Sequence, residues 1–163
     1  MGVKESYGAI GFTGTTKAGR FDGQIREGRK TQTIREPRKD GRPHVKVGHL
    51  TKLYWKMRAK ECFLIATVEV TAYEKLDLLD VWWDEENAKA DGFKDLEEFR
   101  DWFCPNWFKL QSVSKEAIEI AATLDRDITS GIIELGKLGK STTAQVFEKL
   151  IQPYYRIKWK LSD

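Results

Sequence analysis

The segment Tyr154 to Leu161 constrains the fold most, because it alternates without a break. Tyr155, Ile157, Trp159 and Leu161 fall on one side, and Arg156, Lys158 and Lys160 on the other. A period of two is the signature of a β-strand with one apolar and one solvated face. A strand needs a neighbour for its backbone donors and acceptors. The segment is therefore expected to pair back into a sheet formed earlier in the chain, and to close it.

Cys62 to Tyr73 supplies the clearest earlier strand, with Leu64, Ala66, Val68 and Val70 on one face and Thr67, Glu69 and Thr71 on the other. Its first residues read as buried on both sides, Cys62 included, as a small hydrophobe. Thr31 to Arg35 is a second strand, stopped by Pro37, and Leu50 to Trp55 a third, led in by Val45, Val47 and Gly48. Phe21 and Ile25 share one face of a short helix that Gly28 ends at its C′ position. Asp95 with Glu98 three residues on predicts a capped helix carrying Leu96, Phe99 and Phe103 on one face. Two more helices are expected at 114–124 and 142–151, the latter opened by Thr142 and Gln145 and stopped by Pro153. Residues 1–20 are rich in Gly, Thr and Ser and read as a flexible lead-in, with a short strand possible over Tyr7 to Phe12. Its glycines at 8, 11 and 14 are spaced GxxGxxG, not as the dinucleotide fingerprint. Helices segregated from a mostly antiparallel sheet give an α+β class, with residues 21–163 as a single domain.

The composition, 40% hydrophobic and 33% charged, is that of a globular chain, and the net charge is only +3. Its distribution is uneven. Arg26 to Lys60 holds twelve Lys and Arg against three acids, and Glu74 to Phe103 eleven acids against four bases. A cationic cleft beside an acidic flank, or two solvated faces, would produce that pattern. The two cysteines, Cys62 and Cys104, form neither a disulfide framework nor a zinc motif and suit a reducing compartment. There is no apolar run of membrane-spanning length and no leader-like start, so a cytoplasmic location is expected.

The octapeptide from Gly28 to Arg35, GRKTQTIR, resembles the signature of the ASCH family, GRKTxTIR. Val47-Gly48 resembles the family's "vGd" step, Asp91-Gly92-Phe93 its "dGF" turn, and Tyr155 to Trp159 its closing strand. The resemblance runs from about Phe21 to Leu161, with His49 standing where an Asp is usual. It implies a small PUA-like β-barrel flanked by helices, with residues 104–152 as a helical insertion longer than in the small bacterial members. It also implies an RNA-binding or RNA-processing role, and some members are amidohydrolases acting on N4-acetylcytidine through Lys, Thr and Glu. Lys30 and Thr33 match the first two positions of that trio, and the third maps near Asp91, one methylene shorter; Glu74 is the alternative acid.

Read from their chemistry, Thr31, Thr33 and Arg35 would share one strand face, with Lys30 at its mouth. Arg35 can hold a phosphate through two parallel hydrogen bonds, and Lys30 can act as a mobile charge or, if desolvated, as a base. Arg29 stands beside this group. Arg38, Lys39 and Arg42 lie on a nearby loop, and Tyr54 and Trp55 sit among Lys52, Lys56, Arg58 and Lys60. Cations interleaved with rings suit single-stranded nucleic acid, although Tyr54 and Trp55 point to opposite faces and one of them belongs to the core. His49, at a strand start, is a further ligand contact. His44 and His49 lack the neighbours of a metal site. Gly139-Lys140-Ser141 lacks the first glycine of a P-loop. Trp82, Trp83, Trp102 and Trp107 read first as core. Three functions remain open: an RNA- or nucleotide-binding module needing no cofactor; a hydrolase of acylated cytidine or a ribonuclease using Thr33, Lys30 and Asp91; and an adaptor docking a protein on the insertion.

Overall fold

The structure, a computed structural model, describes residues 2–105, 120, 130–131 and 142–162. The expected helix at 114–124, Trp107, the Gly139-Lys140-Ser141 segment and most of the insertion lie outside the described residues.

The fold is α+β. The strands are β1 (Ser6–Phe12), β2 (Thr15–Thr16), β3 (Gly19–Arg20), β4 (Gln32–Arg35), β5 (Leu50–Trp55), β6 (Phe63–Leu76) and β7 (Tyr154–Leu161). The helices are α1 (Phe21–Arg26), α2 (Leu78–Val81), α3 (Glu85–Ala90), α4 (Leu96–Phe103) and α5 (Thr142–Ile151). One five-stranded sheet runs β1-β5-β6-β7-β4, and β2 and β3 form a separate small ladder. Only the β1–β5 pair in the large sheet is parallel. The hydrogen-bonded order ends at β1 and β4, so the ladder is open between them.

β7 does return to the sheet, inserting between β6 and β4. Ile157 and Trp159 are buried, as their phase requires, whereas Leu161 at the strand end is exposed. β6 departs from simple alternation. Tyr54 pairs with Leu64 and Leu53 with Ala66, which leaves Ile65 as an extra residue in a bulge. A bulge reverses the phase of the residues beyond it. Ile65, Val68 and Val70 therefore enter the core, while Phe63 and Leu64 stay outside. Cys62 falls in the β5–β6 turn and is exposed, correcting the expectation of a buried thiol; Cys104 is buried.

Within the expected lead-in, Ser6–Phe12 forms a strand of the large sheet, and β2 and β3 form the separate small ladder. Ile10 and Phe12 alternate with Gly11 and seat β1 on the core beside β5. Gly14 is required at the next turn by close approach: a Cβ there would lie 2.2 Å from the Phe21 ring. Gly14→Ala is expected to destabilise the fold by about 1–3 kcal/mol through overpacking, as read by urea unfolding. A variant as stable as the parent would mean that Phe21 is free to move aside.

α1 ends at Glu27, and Gly28 takes φ 73° at C′. α4 is capped as its sequence predicts, the Asp95 carboxylate accepting from the Glu98 N–H at 2.9 Å. Its partner Glu98 turns outward and accepts from the Lys94 and Lys17 backbone N–H groups, tying the helix start to the β2–β3 turn. Among the described residues, no helix is long and apolar enough to cross a membrane.

Candidate functional site

Three loops are locked around one point. The Gln24 carbonyl accepts from the N–H groups of Arg29 and Lys30, holding the GRKT turn against α1. The Gln24 side chain donates to the carbonyls of Gly19 and Gly92 at 2.8 and 3.1 Å, and the Thr16 hydroxyl donates to Gly92 at 2.6 Å. Gly92 takes φ 96° after α3, and Asp91 occupies the helix C-cap. With Thr31 N–H bound to the Ala90 carbonyl, the beginning of β4 and the end of α3 are fixed side by side.

Lys30 and Asp91 meet in the interior as a result. Their side chains are 1% and 3% exposed and form an ion pair at 2.7 Å. Lys30 Nζ also donates to the Gln32 carbonyl at 2.9 Å and to the Asp91 carbonyl, so its three donors are all engaged. Phe21 and Phe12 cover it, their ring centroids 4.4 and 5.6 Å from Nζ. Lys30 is thus a buried structural cation rather than the mobile charge at the strand mouth that the sequence suggested. An ammonium with no free donor and no solvent path cannot grip an external phosphate.

Burial pulls the Lys30 ammonium below its ordinary value, with Asp91 opposing and Arg35 adding to the shift. Burial likewise pushes the Asp91 carboxyl upward, against Lys30, Arg35 and Arg156. These directions set a pH dependence. Asp91 holds its proton longer in the folded chain, so its stabilising effect is lost as pH rises from 3.8 through the raised value. Lys30 releases its proton earlier in the folded chain, so stability is regained as pH rises through the lowered value toward 10.5. The parent is therefore expected to compare least favourably with a Lys30→Met/Asp91→Leu reference in the interval between the two. Unfolding curves across that range check this, and a pH-independent difference would contradict it.

Above the pair lies a cavity of about 510 Å³. Phe12, Phe21, Trp102, Phe103 and Tyr154 give it aromatic walls, and Thr33, Arg35, His44 and Lys149, with the carboxylate Glu36 at one side, give it polar groups. Thr33 is buried, and its hydroxyl has no hydrogen-bond partner among the described residues. Arg35 lies over the Phe12 ring at 5.0 Å and donates one Nη2 hydrogen bond to the Gly11 carbonyl. That bond spans from β4 to β1, the two ends of the strand order. Its other donors have no partner among the described residues. His44 Nε2 lies 2.8 Å from the Glu36 carbonyl, and burial with Arg35 and Arg38 nearby pulls the imidazole downward. Trp102, expected in the core, is 48% exposed at the cavity rim.

Other anticipated contacts lie elsewhere. Thr31 sits before β4 and, with Arg29, lines a separate hollow of about 520 Å³ beside α3, so it does not share the face of Thr33 and Arg35. Arg29 is neutralised there by Glu27 at 2.7 Å. Trp55 is core, with Arg20 stacked over it at 4.4 Å, and Tyr54 is half-buried on the opposite face; neither lines the aromatic cavity. His49 packs edge-on to Tyr7 and is 3.5 Å from Glu5, away from His44. Arg38 and Arg42 border the groove beyond β4, and Lys39 is exposed on the same loop. Glu74 pairs with Arg156 at 2.8 Å, which leaves Asp91 as the acid beside Lys30.

Gln32 and Asn87 carry no motif signal, yet Gln32 donates to Asn87 Oδ1 at 2.7 Å, and Arg156 donates to the same oxygen at 3.1 Å. This chain ties β4, α3 and β7 together behind the ion pair. Comparison with protein-family models, curated proteins and solved structures gives no match for this chain.

Proposed function

We propose that this protein is an RNA- or nucleotide-binding module of the ASCH type, built on a PUA-like barrel. The aromatic cavity receives a base, and Arg35 holds an adjoining phosphate. The carrying observation is the meeting of Thr33 and Arg35, both with unused polar groups, at a hollow walled by rings. Its volume lies in the range of small-molecule sites, about 300–1,000 Å³. Rings stack on any base, the buried hydroxyl can read a base edge, and a guanidinium fork matches phosphate oxygens. The barrel reading is supported by the Arg35–Gly11 bond across the open seam, which draws the terminal strands of the sheet toward each other.

The test is titration of cytidine 5′-monophosphate and a labelled single-stranded RNA hexamer at two salt concentrations. Both are expected to bind, the RNA losing about 0.7 log units of affinity per phosphate contact for each tenfold rise in salt. Absence of binding by both at low salt would overturn the proposal.

A second reading, amide hydrolysis of an acylated cytidine, draws on the buried Lys30–Asp91 pair one layer below the Thr33 wall. Thr33 would be the nucleophile, Lys30 its activator and Asp91 the orienting acid. Lys30 must then lose one of its three donated bonds together with a proton, so that the neutral amine accepts the Thr33 proton and passes it to the departing cytidine, and water hydrolyses the acetyl-threonine to acetate. Release of acetate from N4-acetylcytidine, abolished in Thr33→Ala, is the expected result; no release by the parent protein eliminates this reading.

A further inference from the structure

The aromatic cavity does not end at Arg35. Arg35 and His44 also border a second hollow of about 110 Å³, floored by Ile157 and lying along β1. That hollow occupies the seam where the sheet order is open. Arg38 borders this seam and, on its other side, a third hollow of about 300 Å³. The three spaces thus share walls in sequence, through Arg35 and His44 and then through Arg38.

The third hollow has its own base-binding chemistry. Tyr73 and Tyr155 stack there with centroids 4.8 Å apart and planes at 21°. Their position follows from the sheet: Tyr155 pairs with Lys75 and Tyr73 with Ile157, placing the rings diagonally on neighbouring strands. Cross-strand diagonals are within reach of aromatic side chains. Pro37 and Pro43 bracket the loop that carries Arg38 and Arg42 around this pair. Arg38 is held by Asp40 at 2.6 Å, and the Arg42 backbone N–H donates to the same carboxylate at 3.0 Å, its guanidinium lying within the field of Asp40.

We infer that this groove binds a single RNA strand of at least two nucleotides. One base enters the aromatic cavity, the linking phosphate lies at Arg35 in the seam, and the neighbouring base stacks on the Tyr73–Tyr155 platform. The inference rests on the nucleotide-binding proposal above and names its ligand class: an oligonucleotide, not a lone nucleoside. Two ring-lined hollows joined by a cationic seam match the alternation of base, phosphate and base along a strand. A mononucleotide would leave the third hollow and Arg42 unused.

The experiment compares cytidine 5′-monophosphate with a single-stranded RNA hexamer, using the full chain and the variants Tyr155→Ala, Tyr155→Phe and Arg42→Glu. The hexamer is expected to bind the parent at least about tenfold more tightly than the mononucleotide, the gain of one further stacked base. Tyr155→Ala is expected to remove about tenfold in hexamer affinity and leave mononucleotide affinity unchanged, with Tyr155→Phe restoring it. Arg42→Glu, on an exposed loop and independent of core packing, is expected to weaken hexamer binding alone. Equal hexamer affinity in the parent, Tyr155→Ala and Arg42→Glu, with mononucleotide still bound, overturns the extended groove and leaves the base cavity standing. Absence of binding of both the mononucleotide and the hexamer to the parent overturns both.

Discussion

Asp91→Leu is expected to lower the free energy of unfolding by about 3–5 kcal/mol, the range for removing one partner of a buried ion pair. The substitution leaves the Lys30 ammonium in a site where its side chain is 1% exposed, facing two carbonyls and two aromatic rings. No water can replace the lost carboxylate without opening the contact between α3 and β4. Lys30→Met is expected to cost a comparable amount by stranding the carboxylate instead. The double variant Lys30→Met/Asp91→Leu removes both desolvated charges and is expected to recover part of the loss. Recovery stays incomplete because the Gln32 and Asp91 carbonyls lose their common donor. Urea unfolding of the four proteins gives the coupling directly. Strictly additive costs would show that the two groups do not act as a pair.

On the proposed nucleotide-binding reading, Arg35→Ala is expected to weaken cytidine 5′-monophosphate and RNA hexamer binding by about 30-fold or more, the equivalent of at least ~2 kcal/mol for a desolvated, hydrogen-bonded charge contact. Arg35 is placed for this by β4, with one donor anchored on Gly11 and its other donors unpartnered among the described residues. The anchor fixes the guanidinium plane, so little side-chain freedom remains to be lost when a phosphate arrives. Arg35→Lys keeps the charge but cannot hold Gly11 and a phosphate in one planar fork, and is expected to retain only a minor part of the affinity. The salt dependence of RNA binding should flatten in Arg35→Ala by about one phosphate contact. Unaltered affinity in Arg35→Ala, with the protein folded by circular dichroism, would remove Arg35 from the interface. That result would also separate the electrostatic contribution of the seam from that of the ring-walled cavity.

The two variants probe different layers of the same octapeptide. Gln32, Thr33 and Arg35 sit on β4, paired through β7 with the rest of the sheet. Lys30 lies just before the strand, where the turn after Gly28 sends its side chain inward instead of to the strand mouth. A one-dimensional alternation count places Thr31, Thr33 and Arg35 together, but the strand begins only at Gln32. Thr31 is instead held by the Ala90 carbonyl and opens toward α3.

What the sequence determined by itself is the set of elements whose periodicity or capping is local. β7 is legible from its alternation, α4 from Asp95 and Glu98, and the end of α1 from Gly28, because each signal lies within a few residues of its effect. The family resemblance nominated Lys30, Thr33 and Asp91, and side-chain chemistry nominated Arg35, residues that meet at or just beneath one cavity. Only the tertiary structure decided which of them faces the cavity and which is sealed below it. Burial of Lys30 depends on Phe12, Phe21 and Asp91, 61 residues away from it in the last case, and no local pattern carries that information. The same holds for the Ile65 bulge, which turned Leu64 outward, and for β1, recruited by a parallel partner some forty residues later. Register and burial are set by which surfaces meet, and that depends on contacts between distant segments of the chain.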